Sequence, residues 1–384
     1  MTSSDRSVVI VQRRLTHYRT PLFEAMRESL AGRGLQLRLL VGRGTAEEEK
    51  KRDAGSLSWA EPISTTYLAG GRLCWQPFFR QIGRSALVVV TQENKLLQNH
   101  LLMLAPRRFK LAFWGHGANL QSAHPDGVKE RFKRWTTNRV DWWFAYTQMS
   151  YDLLRECRFP DERVTVLNNA VDTSALLREL QSIDIAELSS LRESLDFGKG
   201  PVGVFVGSLY SEKRLEFLFE AAARIRAALP DFHLLLVGDG PERSKVQAWC
   251  ASHPWTKWVG ARLGGEKVRH IALGEVMLNP GLVGLGILDA FVCGVPMFTT
   301  DCRLHSPEIS YLQNGVNGVM TRDDVDAYAE SVVQVLTSSQ LRERLRKGCS
   351  ASARDYTVEN MAHNFADGIV RCLDTPRYRT RVAA

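Results

Sequence analysis

The sequence of 384 residues lacks the features that mark several classes of protein. No apolar run approaches the roughly 20 residues that a membrane-spanning helix needs. Its seven cysteines are odd in number and form no C-x-x-C pair, which indicates reduced thiols rather than a disulfide framework or a zinc site. The segment before Val8 lacks the charged start and long apolar core of a secretory signal. We therefore expect a cytoplasmic protein.

The composition is globular, but the charge is unevenly distributed. Hydrophobic residues make up 44% and charged residues 24% of the chain, enough for a sizeable core in two domains of roughly 170–200 residues each. Residues 1–180 hold 27 Lys and Arg against 18 Asp and Glu, whereas the remainder holds 23 against 24. A basic first half suits nucleic acid, an anionic lipid surface or a phosphorylated substrate. No nucleic-acid motif is present, so we expect no nucleic-acid partner.

Short apolar segments alternate with helical patterns in both halves, which predicts parallel, doubly wound sheets. The fold class predicted is therefore α/β, with two Rossmann-like domains whose parallel sheets face a central cleft. The expected boundaries are 1–180 for the first domain, 181–200 for a polar linker and 201–355 for the second domain. A last helix within 356–384 is expected to pack back on the first domain. Ligands of such sheets bind beyond the carboxyl ends of the strands, so the loops there are the candidate sites.

The stretch from Asn279 to Thr300 predicts a strand, a glycine loop, a helix, a turn and a strand. Glycines at 281, 284 and 286 strip side chains from the loop, so backbone N–H groups can approach a ligand closely. A helix N-terminus behind such a loop suits a phosphate. An ordinary tight turn is the alternative interpretation. The candidate loop residues are Gly281, Leu282, Val283, Gly284 and Leu285.

This stretch also resembles the donor-sugar signature of the GT-B glycosyltransferases in retaining family 4, E-G-F-G-x-x-x-x-E-A-x-A-x-G-x-P. Asp289-Ala290-Phe291-Val292-Cys293-Gly294-Val295-Pro296 matches its second half. The first Glu falls on Gly281, and the local form Pro-Gly-x-Val-Gly-Leu is similar to a variant branch of that family. The resemblance implies that Asp289 accepts ribose hydroxyls, and that Glu308, in a tail similar to P-E-x-x-x-x-G-x-N-G, takes the place of the missing carboxylate.

A second donor-side element follows the first strand of the second half, Gly207 to Arg214. It resembles the family pattern G-R-L-x-x-x-K, whose Arg and Lys bracket the donor diphosphate. Ser208 stands where that Arg would be, Lys213 keeps the Lys, and Arg214 is the candidate substitute for the missing guanidinium. An ammonium there would neutralise the leaving diphosphate in place of a metal ion. Asp324-x-Asp326 is interpreted as helix capping, so we expect no metal and no cofactor besides the nucleotide diphosphate sugar.

Three elements of the first half are candidates for the acceptor side. Tyr18 and Arg19 lie in a Tyr-Arg-x-Pro-x-Phe run similar to family members that act on lipid-linked or antibiotic acceptors, and the alternative is a solvated arginine. His116 lies in a Trp-Gly-His-Gly element whose histidine, in the family, approaches the transferred sugar, and Asn119 adds an amide. The basic, aromatic segment Gly127–Arg139 suits an anionic membrane surface, or else a plain solvated helix face.

The resemblance implies a cytoplasmic enzyme, peripheral on the inner membrane face, that moves a hexose-type sugar from a nucleotide diphosphate sugar to a hydroxyl acceptor with retention. The acceptor is a glycan, a lipid-linked intermediate or a small molecule, in polysaccharide or glycosylated-metabolite biosynthesis. His116, Lys213 and Glu308 are the predicted catalytic residues. The alternatives are a pseudoenzyme of the same fold that binds nucleotide or assists a partner, and a nucleotide-sugar epimerase or phosphorylase.

Overall fold

The structure, a computed structural model, describes residues 6–50, 53–117 and 136–378. The chain divides into two compact units, which are described separately below. Unit 1 comprises Met1–Asp172 together with Val358–Ala384, and unit 2 comprises Thr173–Thr357.

Unit 1 is built on a parallel sheet of seven strands. Apolar runs buried on both faces form its centre, as expected of strands covered by helices on each side. The strands are β1 (Ser7–Gln12), β2 (Gln36–Val41), β3 (Glu61–Pro62), β6 (Leu87–Thr91), β7 (Lys110–Gly115), β8 (Trp142–Ala145) and β9 (Val164–Val166). Their spatial order is β3-β2-β1-β6-β7-β8-β9. A separate antiparallel hairpin pairs β4 (Thr66–Leu68) with β5 (Leu73–Trp75).

The described helices of unit 1 include the last helix of the chain. They are α1 (Thr20–Ala31), α2 (Ala46–Glu49), α3 (Phe79–Ile82), α4 (Leu97–Leu104), α5 (Gln148–Glu156) and, after unit 2, α14 (Val358–Asp374). Helix α14 packs on α1 and on the sheet, where Phe365 stacks on Phe144 with ring centroids 4.2 Å apart. Gly368 allows this approach, because a Cβ there would lie 2.4 Å from the hydroxyl oxygen of Thr165.

Unit 2 repeats the plan with six parallel strands. They are β10 (Val202–Val206), β11 (His233–Val237), β12 (Thr256–Trp258), β13 (Val276–Leu278), β14 (Met297–Thr300) and β15 (Gly318–Thr321), in the spatial order β12-β11-β10-β13-β14-β15. The helices are α6 (Ser174–Ser182), α7 (Ile185–Ser194), α8 (Leu215–Ala228), α9 (Arg243–Ser252), α10 (Gly264–Ala272), α11 (Gly286–Cys293), α12 (Val325–Thr337) and α13 (Ser339–Asp355).

The predicted fold class, two Rossmann-like α/β domains with parallel sheets, is confirmed. The segment 181–200, expected as a linker, instead lies inside unit 2 and is largely helical. Helix α7 forms there because the carboxylate of Asp184 caps its start, accepting the Ala186 N–H at 3.1 Å. The two units are divided after Asp172 rather than at 181–200.

The strand order of each sheet reverses at one point, and that point positions the site. In unit 1 the chain leaves β1 in one direction and β6 in the other, and in unit 2 it leaves β10 and β13 in the same way. Crevices at the carboxyl ends of such strand pairs are the usual ligand sites of doubly wound sheets. The loops after β10 and β13, and those after β1 and β6, are therefore the candidate ligand-binding loops.

Within the described ranges, no helix combines the length and the apolar character needed to cross a bilayer.

Candidate functional site

The loops after β10 and β13 in unit 2 are locked together by backbone contacts. A 3-10 turn, Ser211–Lys213, follows β10 and lies against Gly281 of the glycine loop, residues 280–286. A Cβ on residue 281 would lie 2.2 Å from the carbonyl oxygen of Glu212 and 2.6 Å from the carbonyl carbon of Lys213. The Leu282 N–H donates to the Glu212 carbonyl at 2.8 Å. Close packing of two backbones therefore explains why glycine replaces the family's glutamate here.

Lys213, the last residue of this 3-10 turn, places a buried positive charge beside the glycine loop. Its side chain is 9% exposed, and its ammonium donates to the Leu282 carbonyl at 2.5 Å. Burial lowers the pKa of Lys213 to about 8, because the charged form loses hydration. Among the described residues no carboxylate pairs with it, so two N–H donors of the ammonium remain for a ligand.

The backbone N–H groups of the glycine loop are only partly available, which corrects the prediction. Leu282 and Val283 were proposed as donors to a ligand, but Leu282 bonds Glu212 and the Val283 N–H donates to Nδ1 of His305 at 3.2 Å. Within the described part of the chain, the N–H groups of this loop that lack a protein acceptor are those of Gly281, Gly284, Leu285 and Gly286. Those of Gly284, Leu285 and Gly286 lie at the start of α11. Since these are first-turn groups at the positive end of a helix, they suit an anion.

His305 fixes the shape of this loop, a role that the sequence did not indicate. Its Nε2 contacts the Thr300 carbonyl at 2.7 Å, while its Nδ1 receives the Val283 N–H. These two bonds require a neutral ring with its proton on Nε2. The ring thereby joins the end of β14 to the glycine loop.

Asp289 lies in the first turn of α11, as predicted, but its carboxylate already has a partner. Lys267 of α10 contacts both carboxylate oxygens, at 2.9 and 3.0 Å, and the two side chains are 16% and 21% exposed. That Asp289 accepts ribose hydroxyls stays a prediction, and the structure adds Lys267 as a partner of the same carboxylate. Lys267 carries no motif and lies 22 residues away in sequence, so the pair was not visible from the sequence.

The expected guanidinium beside the diphosphate is not supplied by Ser208, and that of Arg214 has an acidic partner. Arg214 adopts a left-handed backbone conformation, with φ of 57°, and its guanidinium pairs with Asp323 at 2.5 Å and contacts the Thr300 hydroxyl at 3.2 Å. The proposed substitute is therefore held by an acid. Ser208 is exposed at the end of β10.

Glu308 lies in a buried 3-10 turn, Pro307–Tyr311, which packs against α11. Its side chain is 4% exposed. Ser306, just before this turn, comes close to the glycine loop: a Cβ on Gly284 would lie 3.4 Å from its hydroxyl oxygen. The structure thus brings the turn that carries Glu308 next to the glycine loop.

In unit 1 two predicted residues, Arg19 and His116, meet at one ring, that of Tyr146, which the sequence did not single out. Arg19 is 8% exposed, and its guanidinium lies 5.2 Å from the ring centroid of Tyr18, 5.4 Å from Trp114 and 5.6 Å from Tyr146. His116 packs on Tyr146 with ring centroids 4.4 Å apart. Tyr146 follows β8 and Trp114 lies in β7, so strand-end position was the available signal.

The guanidinium of Arg19 lies against aromatic rings. The sulfur of Met361 accepts a long contact from Arg19 at 3.8 Å, and no carboxylate pairs with Arg19 in the described ranges. The buried indole N–H of Trp114 lacks a hydrogen-bond partner among the same residues. Asn119 and most of the segment Gly127–Arg139 lie outside the described residues.

Comparisons with known proteins agree with this geometry. Residues 200–338 match the family model described as "Glycosyl transferases group 1". The chain is 25% identical over 285 residues to alpha-D-kanosaminyltransferase of Streptomyces kanamyceticus, covering 67% of this chain and 69% of that one. It is 27% identical over 186 residues to the GDP-mannose-dependent alpha-(1-6)-phosphatidylinositol monomannoside mannosyltransferase of Mycolicibacterium smegmatis, covering 44% of this chain and 46% of that one.

Among solved structures, the Anabaena protein Alr3699/HepE in complex with UDP aligns with a TM-score of 0.69 at 15% identity, over 95% of this chain and 99% of that one. WaaG, a glycosyltransferase involved in lipopolysaccharide biosynthesis, aligns with a TM-score of 0.59 at 14% identity, over 94% and 98% of the two chains. At these identities the likeness concerns the fold, which is GT-B.

Proposed function

Since residues 200–338 form a domain of the glycosyl transferases group 1 family, we propose that this protein is a retaining glycosyltransferase that takes a hexose-type sugar from a nucleotide diphosphate sugar. The observation that carries the proposal is the buried ammonium of Lys213, which has no carboxylate partner in the described ranges and which donates to the glycine loop. That loop holds three open N–H groups at the start of α11. Both features stand at the switch point of the unit 2 sheet, where such folds bind nucleotides.

The Lys213 turn and the glycine loop would stabilise a leaving diphosphate. As the bond between the anomeric carbon and the diphosphate oxygen breaks, negative charge grows on that oxygen. The Lys213 ammonium and the N–H groups of Gly284 to Gly286 stabilise this charge in a sheltered site. The acceptor hydroxyl attacks the same face of the sugar, and its proton passes to the departing oxygen, so no enzymic base is needed.

The nucleotide ribose is assigned to Asp289, with Lys267 as its positioning partner. A carboxylate accepts up to four hydrogen bonds, so pairing with one ammonium leaves lone pairs for ribose hydroxyls. Glu308, in the turn beside the glycine loop, is assigned to the sugar hydroxyls.

The acceptor is assigned to the cluster of Tyr18, Arg19 and His116 in unit 1. The open indole N–H of Trp114 and the guanidinium of Arg19 offer donors to an oxygen-rich acceptor. By its name, the mannosyltransferase of Mycolicibacterium smegmatis acts on a phosphatidylinositol monomannoside, which supports a lipid-linked acceptor among the glycan, lipid-linked and small-molecule acceptors that we propose.

The test is a thermal-shift screen over nucleotide diphosphates and their sugars, followed by turnover of the stabilising donor. A true donor should raise the melting temperature by mass action, because it binds only the folded state. Transfer to an added acceptor, with retained anomeric configuration, supports the proposal. Binding without turnover under any acceptor would instead indicate a pseudoenzyme, and isomerisation of the donor alone would indicate an epimerase.

A further inference from the structure

An arginine precedes each of four adjacent strands in the unit 1 sheet. Arg33 comes before β2, Arg6 before β1, Arg84 before β6 and Arg108 before β7, and these strands lie side by side in the order β2-β1-β6-β7. We call these four residues the arginine row. They lie at the amino ends of the strands, whereas Arg19 and His116 lie beyond the carboxyl ends. The row is therefore separate from the site described above.

The register of the sheet aligns the starts of neighbouring strands, and with them the arginine row. Ser7 of β1 lies one strand across from Ala86, whose N–H donates to the Ser7 carbonyl at 2.8 Å, and the Lys110 N–H donates to the Ala86 carbonyl at 2.9 Å. Neighbouring strands are about 4.8 Å apart, so four strand starts span about 14 Å. Four guanidinium groups are thus distributed along one edge rather than scattered over the surface.

The row lines a cavity of about 890 Å³. Its wall also includes Lys110, Arg377, Asp374 and apolar groups from the end of α14. The one acidic side chain of that lining is Asp374, set against six cationic ones. Such a concave surface concentrates positive potential, which is the electrostatic requirement for binding a multiply charged anion.

Several of these cations are available to bind an anionic ligand. Arg33 pairs with Asp367, but no acid or hydrogen-bond partner is recorded within the described ranges for Arg6, Arg84 or Arg108. Lys110 is different, because its ammonium donates to the carbonyls of Cys372, Leu373 and Thr375 and so caps the end of α14. The available donors are therefore planar guanidinium groups, which match phosphate oxygens in bidentate fashion.

We propose that this cavity is a binding site for a ligand carrying two or more phosphate groups, held by the arginine row. Its phosphates would come either from a soluble oligophosphate or from the headgroups of anionic lipids. The site is independent of the donor loop in unit 2, because none of its residues belongs to that unit.

The experiment uses the full chain, with inorganic tripolyphosphate as the soluble probe and phosphatidylcholine vesicles with or without phosphatidylglycerol as the lipid probe. The pocket variant is Arg84→Glu/Arg108→Glu. The matched control is Arg72→Glu/Arg80→Glu, two exposed arginines of the same unit outside the cavity, so that the change in net charge is identical. Lys110 is left intact because it supports α14.

We expect the pocket variant to lose about tenfold or more of the affinity for one of the two probes, while the control stays within about twofold of the wild type. Loss for tripolyphosphate identifies a soluble ligand, and loss for phosphatidylglycerol vesicles alone identifies lipid headgroups. The proposal is overturned if the wild type binds neither probe, or if the control loses as much as the pocket variant. Should the double variant fail to fold, Arg84→Gln and Arg108→Gln singly replace it, with the same two outcomes.

Discussion

The two units share one sheet plan but hold their cations differently at the switch point. In unit 1 the loop after β1 carries Arg13, which Glu48 holds in a bidentate pair at 2.7 Å, and this contact lowers the pKa of Glu48 to about 2. Arg19, on the same loop, is buried among aromatic rings with no acid in the described ranges. In unit 2 the corresponding cation, Lys213, donates to the Leu282 carbonyl, and burial lowers its pKa.

The difference separates structural cations from those available to ligands. A buried charge without an acid costs stability, so a fold retains it where a ligand supplies the missing partner. The paired Arg13 stabilises its loop, whereas we propose that Arg19 and Lys213 bind the acceptor and the donor. Four predictions follow from this distinction, from the largest expected effect to the smallest.

Among these four predictions, the largest effect is expected for Gly281→Ala in the glycine loop. A Cβ there must push apart two backbones, since it would lie 2.2 Å from the Glu212 carbonyl oxygen, at a cost of about 1–3 kcal/mol. Nucleotide diphosphate affinity, measured by calorimetry, should fall by about 10- to 100-fold. The control is Gly198→Ala, where no atom lies within 4 Å of the added Cβ. Equal affinity in the two variants would refute the backbone-packing explanation, and Gly281→Glu should not restore activity.

Arg19→Met should impair the acceptor without affecting the donor. Removing the guanidinium from its three aromatic rings should lower kcat/KM for the acceptor by about tenfold or more, while the donor's thermal shift stays the same. Arg27→Met, which removes a guanidinium stacked on Trp59 in the same unit, is the matched control. If donor binding falls as much as acceptor turnover, Arg19 is structural.

Asp289→Asn and Lys267→Met separate ribose binding from the ion pair. If Asp289 accepts ribose hydroxyls, its amide variant should weaken nucleotide binding by about tenfold, because the amide loses acceptor capacity. Lys267→Met removes only the positioning partner and should weaken binding by about threefold or less. Equal losses, measured by titration calorimetry, would assign the pair to structure alone.

The smallest effect is the pH dependence of donor binding. The pKa of Lys213 is lowered by burial to about 8, from 10.5, so the free protein loses its ammonium as pH rises through about 8. A diphosphate binds the charged form, so its dissociation constant should increase by about twofold between pH 7 and pH 8. Lys213→Arg should flatten this profile, because arginine stays charged. A flat wild-type profile would show that the ammonium does not contact the ligand.

The same linkage bears on the stability of the free protein. The folded pKa of Lys213 lies below the unfolded one, so burying the ammonium costs stability at pH values below about 8. That cost is relieved as pH rises from about 8 toward 10.5, and ligand phosphate relieves it at neutral pH.

The sequence predicted the central strands because each is an apolar run buried on both faces, as in β1 and β10. It missed β3, β4, β5 and β15, since strands of two to four residues form only where neighbours already provide hydrogen-bond partners. Glycines placed after a strand indicated the glycine loop, whereas Lys213 was predicted from the resemblance to the pattern G-R-L-x-x-x-K. The partners of Asp289 and Val283 were not predictable, because each lies 22 residues away on another element that only the folded sheet brings close.

The most direct test of the donor site is the rate of sugar transfer by Lys213→Ala beside Lys347→Ala, an exposed lysine of the same unit that is 76% solvent-accessible. Loss of one preorganised charge at a leaving group costs about 100- to 1,000-fold in kcat, and we expect that loss for Lys213→Ala alone, with the fold intact. A kcat for Lys213→Ala close to that of Lys347→Ala would contradict the assignment of Lys213 to the leaving diphosphate.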